Sequence, residues 1–117
     1  MTRSYTIAPA AQADIIGILV VSYDHFGSTV RDGYEQLIAA AIDDIVGDRI
    51  RVGVQDRPDL GPGIRSRHVR LSRDNVPADV RRIIRPRHIV FFREFDGEVH
   101  ILRVLHEVMD LVRQRYE

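Results

Sequence analysis

Pro86-Arg87-His88-Ile89-Val90-Phe91-Phe92-Arg93-Glu94-Phe95-Asp96-Gly97-Glu98-Val99-His100-Ile101-Leu102-Arg103-Val104-Leu105-His106-Glu107-Val108-Met109-Asp110-Leu111 is the stretch that decides the fold. Ile89-Val90-Phe91-Phe92 and Val99-His100-Ile101-Leu102 are rich in β-branched and aromatic residues, as strands are. Asp96-Gly97 stands between them. Asp-Gly is the favoured pair for a two-residue type I′ turn, because both of its positions need positive φ. The stretch therefore predicts a hairpin. A two-residue turn without a bulge makes Arg93 face His100, Phe91 face Leu102, Ile89 face Val104 and Arg87 face His106, all on one side of the sheet. Glu94, Phe92, Val90 and His88 then share the other side with Val99, Ile101, Arg103 and Leu105.

Upstream of the hairpin, Ser72 to Arg85 is polar and basic and contains Pro77. It predicts a long loop, with at most one helical turn around Ala78 to Ile84. Ile64 to Leu71 is a strand candidate by position. Residues 48–63 form a connector ending in Asp56-Arg57-Pro58-Asp59-Leu60-Gly61-Pro62-Gly63, a composition that forbids a helix and reads as turns. Further back, Val30, Tyr34, Leu37, Ile38, Ala41, Ile42 and Ile45 keep helical spacing. Thr29 with Asp32 approximates a capping box, and Gly47 supplies the stop.

An earlier helix is expected from Pro9 to Asp24, with proline in the first turn, where its missing N–H costs nothing. Ile15, Ile16, Leu19, Val20 and Tyr23 fall on one face of it. The same run, rich in Ile and Val, would also suit a buried strand; its length and the proline start favour a helix. Phe26-Gly27 ends it. Tyr5-Thr6-Ile7 is a short opening strand. Downstream of the hairpin, Glu107 to Tyr116 reads as a short final helix. The order is β-α-α-β-β-β-α in a single domain over residues 1–117, an α+β fold with a mostly antiparallel sheet and a helical hairpin against it.

Composition bounds the function. A chain of 117 residues with 44% hydrophobic residues builds a real core. With no cysteine there is no disulfide framework, thiolate nucleophile or cysteine metal site. No signal-peptide layout or membrane-length apolar run is present, so a cytoplasmic location and no membrane partner are expected. The net charge of zero hides an asymmetry. Residues 1–47 carry two arginines and six acids (−4), residues 48–93 twelve arginines and five aspartates (+7), and residues 94–117 three arginines and six acids (−3). All 17 basic residues are arginine, whose planar fork fits carboxylate or phosphate in a bidentate way.

Arg103-Val104-Leu105-His106-Glu107-Val108-Met109-Asp110, closing the last strand, resembles the signature of ParE-type toxins of the RelE/ParE toxin–antitoxin superfamily. Thr6 to Asp14, Leu60-Gly61-Pro62-Gly63-Ile64-Arg65 and Arg85-Pro86-Arg87-His88 extend the resemblance over nearly the whole chain. The longer Ser72–Ile84 segment departs from it. The resemblance implies a RelE/ParE-like fold and a type II toxin that inhibits DNA gyrase by binding. It also implies a cognate ParD-like antitoxin whose disordered tail folds onto the toxin in a hetero-oligomer.

Arg87, Arg93, His100 and His106 form the sharpest chemical constellation. Read as a site, they are the acid–base and charge-stabilising groups of an RNA-cleaving centre, the RelE-type alternative. A non-toxic scaffold is a second alternative. ParE-like members are generally not nucleases, and arginine and histidine near Asp110 pair for solvation alone. No catalytic residue is therefore assigned. The partner-binding candidates are Arg65, Arg67, Arg70, Arg87, His88, Arg93, Arg103 and His106. The basic segment lacks interleaved aromatics, so sequence-specific nucleic-acid binding is not expected. The five histidines show no metal-ligand spacing, no serine stands in a nucleophile elbow, and no glycine loop cradles phosphate. No metal or cofactor is expected.

Overall fold

The computed structural model describes residues 4–47 and 53–116. The chain runs through β1 (Ser4–Ile7), α1 (Pro9–Phe26), α2 (Ser28–Val46), β2 (Gln55–Asp56), β3 (Arg65–His68), a 3-10 helix (Val69–Asn75), β4 (His88–Phe95), β5 (Glu98–His106) and a 3-10 turn (Leu111–Arg113). One five-stranded sheet has the order β1-β5-β4-β3-β2. β1 runs parallel to β5, and the other pairs are antiparallel.

The hairpin turn forms as its residues require. Asp96 has φ +54° and Gly97 φ +75°, both in the left-handed region of a type I′ turn. Near the turn the expected register holds, with Arg93 opposite His100 and Phe92 opposite Ile101. A register shift then falls between Phe91 and Phe92, and Phe91 pairs Arg103, Val90 pairs Val104 and His88 pairs His106. β5 thus carries one extra residue there, a bulge that moves everything beyond it to the opposite face. Asp14 of α1 fills the opening. Its carboxylate accepts from Arg103 Nε (2.7 Å), Arg103 Nη2 (2.9 Å) and the Val104 N–H (3.0 Å).

α1 begins with Pro9 and ends at Gly27, whose φ of +87° turns the chain directly into α2. The Thr29–Asp32 capping box does not form. The cap is Gly27, two residues before Thr29, so α2 starts at Ser28, and Arg31 N–H donates to the Gly27 carbonyl (3.1 Å) without a side-chain cap. The two helices cover one sheet face. Leu37, Ile38, Ala41 and Ile45 of α2 pack with Leu19 of α1 over Val90, Phe92, Val99, Ile101 and Val104. The other face holds a second, smaller core of Phe91, Leu102, Leu105, Ile64 and Tyr116.

Three expectations change. The connector contributes the short strand β2; its first residues, 48–52, lie outside the described residues. The strand from Ile64 stops at His68, because the chain winds into the 3-10 helix. Asp44 pulls it there, accepting from Ser72 Oγ and Asn75 Nδ2, both at 2.7 Å, with Arg67 Nη2 at 3.8 Å. The final helix is only a 3-10 turn. Residues 107–116 instead wrap the second core, held by Tyr116 Oη to the Leu111 carbonyl (2.8 Å) and Arg103 Nη1 to the Arg115 carbonyl (3.1 Å).

Candidate functional site

α1 offers more apolar surface than one core can bury. Ala11, Leu19 and Ser22 are buried, while Ile16 (63% exposed), Val20, Val21, Tyr23 and Phe26 (70%) are open. The expected stripe of Ile15, Ile16, Leu19, Val20 and Tyr23 is therefore split between core and surface. Beside it lies a groove of about 600 Å³. Ile18, Val21 and Phe26 of α1, Val30 and Tyr34 of α2, and Ile83 line it, and Arg85, Arg87, His88 and His106 close one end. It is an apolar trough with a basic end, in the size range of a ligand or peptide-anchor pocket.

The basic end is tightly bonded. Tyr34 Oη accepts from the Arg87 N–H (3.1 Å) and shares a hydrogen bond with His88 Nδ1 (2.5 Å). The rings of Tyr34 and His88 meet edge-on at 5.3 Å, and those of His88 and His106 at 5.1 Å. Glu107 bridges two neighbours, accepting from His68 Nε2 (2.8 Å) and Arg87 Nη1 (3.0 Å). The Nδ1 atoms of His68 and His106 accept the Arg70 and Val108 N–H groups, at 3.1 and 3.2 Å. Because a backbone N–H can only donate, Nδ1 of His68 and of His106 is the acceptor, and Nε2 is the ring nitrogen left to donate.

The electrostatics agree. Burial, then the neighbouring His106 and His68, push the His88 pKa down to about 4. Burial also lowers His68, against the pull of Glu107. The hydrogen bonds from His68 and then Arg87 hold Glu107 below the usual carboxylate value. Burial raises the Tyr34 phenol.

The sequence-selected residues separate into groups. Arg87, His88 and His106 meet at the groove end. Arg93 and His100 keep their expected pairing, on the sheet face with Leu102 and Tyr116, in a hollow of about 330 Å³, while the bulge turns His106 to the other face. The expected quartet of Arg87, Arg93, His100 and His106 on one side therefore does not assemble. Arg67 must be withdrawn as a partner residue. It is 2% exposed, and its guanidinium is spent inside, on the Leu71 carbonyl (3.0 Å), Ser72 and Asp44. Arg103 is largely covered by its bidentate pair with Asp14. Arg65 lies between Asp56 (3.1 Å) and Glu94 (3.9 Å) near the sheet edge, and Arg70 is exposed on the 3-10 helix.

Sequence reasoning missed Tyr34, His68, Glu107 and the groove wall of Val21 and Phe26. The all-round apolar character of α1 was the available signal, since a helix apolar on every side is normally buried on every side. Among the described residues, no group of three histidine, aspartate or glutamate side chains forms a metal cluster, and no helix is long and apolar enough to cross a membrane.

The chain is thus a small α+β domain, two helices over one face of a five-stranded sheet. Among solved structures, the chain is similar to one of the chromosomal ParDE TA system from P. aeruginosa. The two superpose with a TM-score of 0.63 at 20% identity, covering 90% of this chain and 96% of that one. This likeness establishes the fold expected from the sequence. No protein-family model and no curated protein matches the chain.

Proposed function

We infer that this chain is the toxin of a type II toxin–antitoxin pair, that it inhibits DNA gyrase by binding, and that a ParD-like antitoxin neutralises it. The observation that carries the reading is the uncovered apolar groove beside α1, ending in a basic cluster in which Arg87, His88 and His106 already have partners. A trough of this kind suits the apolar stripe of an amphipathic helix, and a disordered antitoxin tail becomes such a helix on binding. The ParDE likeness supports the toxin class. The pair works in the cytoplasm, where its target is, as a toxin–antitoxin hetero-oligomer.

The RelE-type endoribonuclease reading draws on one observation, the His88–His106 pair beside Arg87. Against it, Tyr34 occupies His88 Nδ1, Glu107 holds Arg87, and the adjoining trough is apolar where a scissile phosphate would need open donors. Expression of the chain alone tests the toxin reading. Growth arrest with loss of negative supercoiling in reporter plasmids is the expected result, and unimpaired growth would leave a non-toxic scaffold.

A further inference from the structure

Residues 76–87 join the 3-10 helix to β4 and build one wall of the groove. This strap lies hard against α2. The Arg81 carbonyl sits where a Cβ on Gly33 would come within 2.5 Å, and Ile83 Cδ1 within 3.2 Å. Arg73 Nη1 ties down the Ile84 carbonyl (2.9 Å), and Tyr34 Oη holds the Arg87 N–H (3.1 Å). So anchored, the strap presents Ile83 and Arg85 to the groove, with Arg87 at its end.

The charge on this wall is predominantly positive. The strap carries four arginines against one aspartate. The residues lining the groove include two arginines and no carboxylate. Glu107 partly neutralises Arg87. Among the described residues Arg85 is exposed and makes no ion pair or hydrogen bond, so its charge is available to an occupant.

We propose that this strap selects the groove's partner: the groove takes an amphipathic helix whose apolar stripe is flanked by carboxylates, and Arg85 reads those carboxylates. The proposal rests on the groove being the antitoxin site. Apolar contact supplies the affinity, and the arginine discriminates between helices with the same stripe and different flanks.

Three synthetic helical peptides test it, with one leucine stripe and flanks of glutamate, glutamine or lysine, titrated against the purified full chain by fluorescence anisotropy. The glutamate peptide is expected to bind about tenfold tighter than the glutamine one, and the lysine peptide weakest. Arg85→Glu, an exposed change that leaves the core intact, should reverse that order. Equal binding of all three peptides, each abolished by Val21→Asp, would overturn the selectivity claim and leave the groove as a docking site. No binding by any peptide, or binding that ignores Val21→Asp, would bring down the groove reading as well. A dimer in sedimentation velocity that Val21→Asp dissolves would assign the groove to a second copy of this chain and contradict the proposal.

Discussion

Asp14 shows what one residue does here. It is an acid in the first half of an otherwise apolar helix, and its carboxylate closes the β5 bulge by three hydrogen bonds. Asp14→Ala strands a largely covered guanidinium and a backbone N–H. It should lower unfolding free energy by about 2–3 kcal/mol, seen as a lower urea midpoint at unchanged slope. Gly33 is a second such position. A methyl group there meets the Arg81 carbonyl at 2.5 Å, so Gly33→Ala should cost about 1–3 kcal/mol despite its better helix propensity. Proteolysis within residues 76–87 should quicken as the strap lifts.

His88 gives the molecule a pH dependence. Its pKa is about 4 in the folded chain and near 6.5 when unfolded. Below about pH 6.5 the unfolded chain binds a proton that the folded chain refuses, so stability falls from pH 6.5 to about 4 and this loss is complete below that. His68 adds to the fall, and Glu107 adds a further loss as pH drops through its lowered folded pKa. Thermal melts from pH 7 to 4 should record the decline. His88→Asn, which keeps an acceptor for Tyr34, should remove the larger part of the histidine slope.

At the scale of elements, what the sequence made legible follows from local chemistry. Asp96-Gly97 dictated the hairpin, because few other pairs accept positive φ twice. Pro9 and Gly27 bounded α1, and the spacing from Val30 to Ile45 placed α2. The bulge was not legible, since nothing local marks it. Its cause is Asp14, nearly ninety residues away in sequence. That one shift turned His106 away from His100, and Arg87, which precedes β4, sits with His106 at the groove end, so the expected quartet does not form. Residues 107–116 read as a helix by propensity alone. The bond from Arg103 to the Arg115 carbonyl and the burial of Tyr116 in the second core won, because ten residues gain little from an isolated helix.

α1 is the element whose sequence exceeds its structural need. Val21 is 56% exposed and packs on nothing that folding requires. Val21→Asp should therefore change stability by less than about 1 kcal/mol in urea denaturation. Under the proposed function it should also release the chain from an antitoxin in cells, so that co-expression no longer restores growth. Asp44 is the opposite case. Three side chains from β3, the 3-10 helix and its end close on this buried carboxylate, and Asp44→Ala should cost about 3–5 kcal/mol.

Taken whole, the molecule is a rigid sheet with two cores, one helical layer left half uncovered, and its arginines concentrated around β3, the strap and β4. The arginines and histidines that resemble a catalytic set are mostly committed to internal partners. The proposed function has such a body act by occupying a surface on another protein, with a partner in the groove as its control. The most direct measurement runs the purified chain in two reactions side by side: plasmid supercoiling by purified gyrase, and translation in an extract whose transcripts are mapped by primer extension. The account predicts blocked supercoiling with transcripts intact. New transcript ends at ribosomes, with gyrase unaffected, would contradict it.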